Sequence, residues 1–172
     1  MEIVGSYVDH LIEKYQTKGG LLMDSNLALL YLVGGYDPRL IGDGKYNKLS
    51  NYNLEDYRIL VRLKNMFRIS VTTPHVLAEV SNLVCDLPEQ TKSACLRKFH
   101  ATFSSINELA VASMEAARWQ DFHFLGLTDS ALALISREYL IVTDDARLVK
   151  KLNEASLEAL NFNHLRMYYL MR

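Results

Sequence analysis

Four acidic residues stand just after or beside apolar segments of this chain: Asp24, Glu79, Asp129 and Asp145. Their settings are Leu21-Leu22-Met23-Asp24-Ser25-Asn26, Pro74-His75-Val76-Leu77-Ala78-Glu79, Leu127-Thr128-Asp129-Ser130-Ala131 and Ile141-Val142-Thr143-Asp144-Asp145. A carboxylate at the end of a buried segment is well placed to face a crevice. If four share one crevice they repel: each pair costs about 3 kcal/mol at about 5 Å and an effective dielectric of about 20. A bound cation or protonation relieves that cost. The chemistry this suggests is metal-dependent hydrolysis.

The elements that must position these acids follow from apolar spacing. Ile3, Val4, Tyr7, Val8, Leu11, Ile12 and Tyr15 recur every three or four residues and predict an amphipathic helix over 2–17, ended by Gly19-Gly20. A short buried strand is expected over 21–24, then a helix over 25–33. Residues 34–53, rich in Gly, Asn, Tyr and Asp, read as a long surface loop. A helix over 54–65 and an alternating strand over 69–72 come next. Thr73-Pro74 marks a helix start that runs to about Leu87. Pro88 separates that helix from another over 89–104. Helices over 107–120 and 129–137, a strand over 139–143, a helix over 145–160 and a last strand over 165–171 complete the pattern. Strands alternating with helices imply a parallel sheet covered on both faces, with its reactive crevice at the carboxyl ends of the strands. Asp24 and Asp145 fall at that edge; Glu79 and Asp129 are on helices that can reach it.

Composition sets the bounds. A chain of 172 residues, 49% hydrophobic and 23% charged, fits one globular domain. A net charge of −1 offers no overall attraction to nucleic acid, so any such attraction must be local. Cys85 and Cys95 form no CxxC or zinc pattern and read as buried, reduced thiols. Met1-Glu2-Ile3-Val4 lacks the features of a secretory signal, and the longest apolar run, Leu27 to Val33, is too short to span a bilayer. A cytoplasmic protein without membrane contact is expected.

Each acid also has a plainer reading. Asp24 and Asp145 suit helix N-caps, Asp129 a first helical turn, and Glu79 a solvated helix face. Taken jointly, with their flanks and order, the four motifs resemble the PIN-domain nucleases, including the small toxins of the virulence-associated protein C type. The matching strings are Leu22 to Asn26, Thr73 to Val80, Leu127 to Ala133 and Val142 to Leu148, and the resemblance covers about residues 20–170. It implies an α/β three-layer PIN-like (flavodoxin-like) fold with a central parallel sheet flanked by helices, here with an extra N-terminal helix. It also implies a Mg²⁺- or Mn²⁺-dependent endoribonuclease. The acidic ligands carry over to Asp24, Glu79, Asp129 and Asp145. The fourth motif, Thr-any-Asp, favours Asp145 over Asp144, which is kept as auxiliary. Asn26 and Thr143 are candidates for orienting a carboxylate or water. The helix over 1–18 and the 34–53 loop depart from the compact family form.

Oxygen-only ligands are what a hard cation prefers, and the expected chemistry is phosphodiester hydrolysis. RNA would need cations beside the acids. Candidates are Arg58 and Arg62 with Lys64 and Arg68, then Arg97, Lys98 and His100, then Arg147, Lys150 and Lys151. Tyr46, Tyr52 and Tyr57 are read as loop anchors rather than base-stacking platforms. His75 and His123 are read as packing or surface residues, and Trp119, Phe122 and Phe124 as core. Family analogy favours a homodimer, and an antitoxin or other regulatory protein is a candidate partner. Toxin, defence and processing roles all stay open. A haloacid-dehalogenase-like enzyme would want Asp-any-Asp where this chain has Asp24-Ser25-Asn26, and a receiver domain would want an Asp after 69–73. A binding module that keeps the fold without turnover is the alternative from another class.

Overall fold

The computed structural model describes residues 2–44 and 46–170, with side chains described within 5–169. It is an α/β fold built on a five-stranded parallel sheet in the order β3-β2-β1-β4-β5. Strand β1 (Leu21–Met23) lies at its centre, between β2 (Ser70–Thr72) and β4 (Leu140–Thr143); β3 (Asn107–Glu108) and β5 (Ala159–Asn161) are the edges. Leu21 pairs with both Ser70 and Leu140, and Leu22 with Val71 and Ile141. The three central strands are buried throughout, as a parallel sheet with both faces covered requires.

Gly19 and Gly20 do more than end the first helix. A Cβ on Gly19 would fall 1.6 Å from the Glu138 carbonyl oxygen, and one on Gly20 would fall 2.7 Å from that of Ile69. Their absence lets β1 enter between its neighbours, with Leu140 N donating to Gly20 O at 2.8 Å and Leu21 N to Ile69 O at 3.1 Å.

Helix α1 (Glu2–Lys18) buries Val8, Leu11, Ile12 and Tyr15 against the domain. The side chains of Ile3 and Val4, part of the same expected stripe, lie outside the described residues. Helix α2 (Ser25–Tyr36) carries Leu27 to Val33, is buried almost all round, and packs on α3 (Leu54–Met66), α4 (Pro74–Cys85) and α5 (Glu89–Phe103). As expected, Thr73 caps α4, its Oγ1 accepting from Val76 N, with Pro74 at the first helical position. Among the described residues no helix is long and apolar enough to cross a membrane.

Three expected elements change. Residues 107–120, expected as a helix, form the edge strand β3, an extended stretch and the one-turn helix α6 (Ser113–Ala116). The expected helix over 145–160 ends earlier: α8 spans Ala146–Glu154, Ser156 turns with φ 57°, and β5 follows. The expected strand over 165–171 is helix α9 (Phe162–Leu170), and Met171 lies outside the described residues. The 34–53 segment holds two 3-10 turns, Pro38–Leu40 and Asn47–Leu49, and buries Ile41, Tyr46, Leu49 and Tyr52. Both cysteines are free; Cys95 is buried, while Cys85 is exposed rather than buried.

Candidate active site

The order of the sheet decides where a crevice opens. After β1 the chain moves outward to β2 and β3, then returns across β1 to β4 and β5. The switch point therefore lies between the carboxyl ends of β1 and β4, where ligands of open α/β sheets bind. Asp24 is the first residue after β1, and Asp144 and Asp145 are the first two after β4. Asp24 N continues the ladder to Val142 O at 3.0 Å, so the two strand ends are tied together.

Asp24 is only 5% exposed. Its Oδ1 caps α2, accepting from Leu27 N at 2.8 Å, and its Oδ2 accepts from the Thr143 hydroxyl. Burial pushes its carboxyl up to about 7; the Thr143 and Leu27 hydrogen bonds oppose this, and the charges of Asp144 and Asp129 add to it. Thr143 is fully buried, and its Oγ1 also accepts from Asp145 N at 2.9 Å. One hydroxyl thus links the two strand ends and fixes one oxygen of Asp24.

Asp129 is carried on α7 (Phe122–Ile135). That helix is broken at Gly126, whose φ of 73° is left-handed, so Asp129 lies in the first turn of its second segment. Burial pushes Asp129 up to about 7 as well, helped by Asp145 and then Glu79, with Arg147 opposing. Neither Asp24 nor Asp129 has a cation at salt-bridge distance among the described residues.

Glu79 is exposed on α4 and accepts from Ser25 Oγ at 3.0 Å. It shares an open cavity of about 460 Å³ with Asp129, His75, Asn82 and the Gly126 turn. His75, Ala78, Glu79 and Asn82 follow i, i+3, i+4, i+7 spacing, so one face of α4 forms a wall of that cavity. The His75 ring lies there with Nε2 2.9 Å from Ser113 Oγ and its buried Nδ1 without a partner among the described residues. Sequence reading placed His75 in packing or on the surface. Its four-residue spacing from Glu79 was the signal that it would share the acid's face.

The last two acids are engaged. Asp145 caps α8 and takes both Nε and Nη2 of Arg147, at 3.5 and 3.1 Å, besides the Arg147 amide at 2.7 Å. Burial pushes Asp145 up, but these Arg147 contacts outweigh it and hold the carboxyl below its usual range. Asp144 accepts from the Tyr52 hydroxyl at 2.5 Å. Burial, with that bond and the Asp144 charge, drives the phenol far above its ordinary value. Tyr52, expected only as a loop anchor, is thus a wall of the acidic crevice. Asn26 makes no side-chain hydrogen bond among the described residues, so the orienting role rests on Thr143 and Ser25.

Of the expected RNA-binding cations, Arg147 and Lys150 lie beside the crevice, lining a second cavity of about 200 Å³ with Phe124, Leu125 and Lys151. Arg58 and Arg62 do not. Arg58 pairs with Glu55 at 3.2 Å, and Arg62 sits over Tyr169, 5.8 Å from its ring centroid. Helix α3 delivers the chain to the start of β2, so Arg62 near its end lies toward the amino edge of the sheet, away from the acids. Phe124, expected in the core, is 64% exposed.

The donor chemistry suits a hard divalent cation: oxygens only, with two carboxyls raised toward neutrality in the absence of a cation. Among the described residues, however, no three acidic, histidine or cysteine side chains stand close enough together to coordinate one ion. Compared with known proteins, the chain matches no family model, no curated protein and no solved structure.

Proposed function

We propose that this chain is a PIN-domain-type endoribonuclease that hydrolyses phosphodiester bonds at the switch-point crevice with the help of Mg²⁺ or Mn²⁺. The observation that carries the reading is the state of Asp24 and Asp129. Asp24 is buried and Asp129 partly so, both are raised to about 7 with other acids contributing, and neither has a direct cationic partner among the described residues. A fold gains nothing from that arrangement unless something positive arrives. The four motifs that resemble the PIN nucleases supply these residues, and all lie at the carboxyl edge of the sheet.

To hold the ion, Asp24, Glu79 and Asp129 would have to draw closer together than they stand here, with Asp145 as a further ligand once it parts from Arg147. A divalent ion so held would supply charge neutralisation at the phosphate and activation of water. The chain's own contribution is positional. Thr143 fixes the Asp24 carboxylate, Ser25 steadies Glu79, and the Gly126 break aims the first turn of the following helix segment at the crevice.

A second reading, a PIN-like module that binds RNA or protein without turnover, draws on a specific observation too. Asp145 is held by Arg147 and Asp144 by Tyr52, so two of the five acids are already satisfied. Cleavage of total RNA in Mn²⁺ by the purified protein and by Asp129→Asn separates the two. The nuclease reading expects at least a hundredfold loss in the variant with an unchanged circular dichroism spectrum. Equal cleavage by both proteins, or cleavage by neither, defeats it.

A further inference from the structure

Beside the acids lies a feature that cleavage chemistry does not use: the cavity of about 200 Å³ formed by Phe124, Leu125, Arg147, Lys150 and Lys151. Phe124 is 64% exposed, on the short helical turn just before the Gly126 break. Nothing would lie within 4 Å of a Cβ on Gly126, so the approach is open. His123 leans on Phe124 with centroids 4.1 Å apart, and Lys151 Nζ stands 5.0 Å from the Phe124 centroid. Lys151 is itself held by Asp121 at 2.9 Å and Glu154 at 3.0 Å. The aromatic ring is thus held by His123 and by Lys151 over its face, and what they do not cover is left to solvent. Leu125 lines both this cavity and the acidic one, so the two are neighbours across it.

The geometry points to a nucleotide subsite in which Phe124 stacks on one unpaired base of the substrate while Arg147 and Lys150 take the adjoining phosphate. This rests on the nuclease reading and adds how the strand is held. The space suits a single ring system. A flat apolar face rimmed by cations is complementary to a base carrying a phosphate, and a strand directed toward the acids needs cations at their border. Those cations are available: Arg147 and Lys150 side chains are 82% and 74% exposed, and their pairs with Asp145 and Glu154 are surface pairs that exchange readily. Moving Arg147 to a phosphate would also free Asp145.

The test is binding measured in EDTA, where no cleavage occurs. Fluorescence anisotropy would follow a fluorescein-labelled single-stranded RNA, and the same strand in a perfect duplex. Wild type, Phe124→Ala, Phe124→Trp and Lys150→Ala are compared. Phe124→Ala should weaken single-strand binding about tenfold without altering the salt dependence, and Phe124→Trp should restore it. Lys150→Ala should flatten the slope of log affinity against log salt by roughly 0.7. Because Phe124 is exposed, melting temperatures should be unchanged. Equal affinity of Phe124→Ala and wild type overturns the subsite, as does absence of single-strand binding by wild type or duplex binding that is as tight. A Mn²⁺ cleavage arm separates the parent reading. Asp129-dependent cleavage with no Phe124 effect on binding removes the subsite alone; Phe124-dependent binding without cleavage removes the nuclease alone.

Discussion

Asp24 and Asp56 are two aspartates with almost the same burial, 5% and 3% exposed, and opposite surroundings. Asp56 sits in the first turn of α3 and takes Arg166 through both oxygens, Nε to Oδ1 at 2.7 Å and Nη2 to Oδ2 at 3.0 Å. It also accepts from Asn53 N at 2.8 Å, closing a capping box, while Arg166 reaches on to Asn51 O and Asn163. Every strong demand of that carboxylate is met from within the chain. Asp24 is given a hydroxyl and one amide, and its nearest charged neighbours are other acids. Where a buried acid ties α3 to α9, the chain supplies a guanidinium. At the crevice it withholds one, which is the contrast the proposed cation site draws on.

The largest way to break this comparison is at the satisfied end. Asp56→Ala leaves the Arg166 guanidinium, only 24% exposed, without its partner and removes half of the capping box. Stripping one member of a buried pair costs about 3–5 kcal/mol, and the partial exposure of Arg166 places this near the lower figure. Chemical denaturation should show it as a clear loss of stability with the same slope. A loss under about 1 kcal/mol would remove Asp56 as the structural counterpart.

At the crevice the expected sign is opposite. Asp129 has a carboxyl raised to about 7 in the fold, against about 3.9 when unfolded. The stabilising proton is held fully below about pH 4 and is lost as pH rises through 7, so the metal-free fold weakens across that window and levels off above it. Asp129→Asn removes the loss. In EDTA the variant should match wild type near pH 4 and exceed it at pH 8 by an amount on the order of 2 kcal/mol, after discounting for solvent screening. Saturating Mn²⁺ should raise the melting temperature of wild type more than that of the variant. A flat difference from pH 4 to pH 8 would mean that the burial of Asp129 carries no strain.

How far the sequence announced these two regions depends on what each signal consists of. Asp24 and Asp145 were legible both as caps and as crevice acids, and they are both at once, because a helix that starts at a strand's carboxyl end puts its cap at the switch point. The central strands were legible because Leu21 to Met23 and Leu140 to Val142 are continuous apolar runs. Strand β3 was not: Asn107 and Glu108 are exposed edge residues with no pattern to display. The C-terminal segment misled for another reason. A strand was expected over 165–171, yet Phe162, Leu165 and Tyr168 are spaced by three and are buried together on one face of α9. Phe124 illustrates a one-way rule: apolar residues fill cores, but an apolar residue need not be in one. The Asp56–Arg166 pair joins residues 110 positions apart, and neither partner's neighbours in the chain point to the other.

The smallest expected effect sharpens the contrast among cations. Arg62 and Lys150 are both exposed and basic, and by composition alone either would serve RNA. Arg62 lies over Tyr169 toward the amino edge of the sheet, whereas Lys150 borders the acidic crevice. Arg62→Ala loses a surface cation–π contact worth about 0.5–1 kcal/mol, and its removal should leave both the affinity for single-stranded RNA and its salt slope at wild-type values. Sequence charge does not separate these two residues; only the direction in which α3 and α8 run through the fold does. An Arg62→Ala variant whose salt slope flattened as much as that of Lys150→Ala would show that attraction to RNA is spread over the whole surface, and the rim of the crevice would lose its claim to guide the strand.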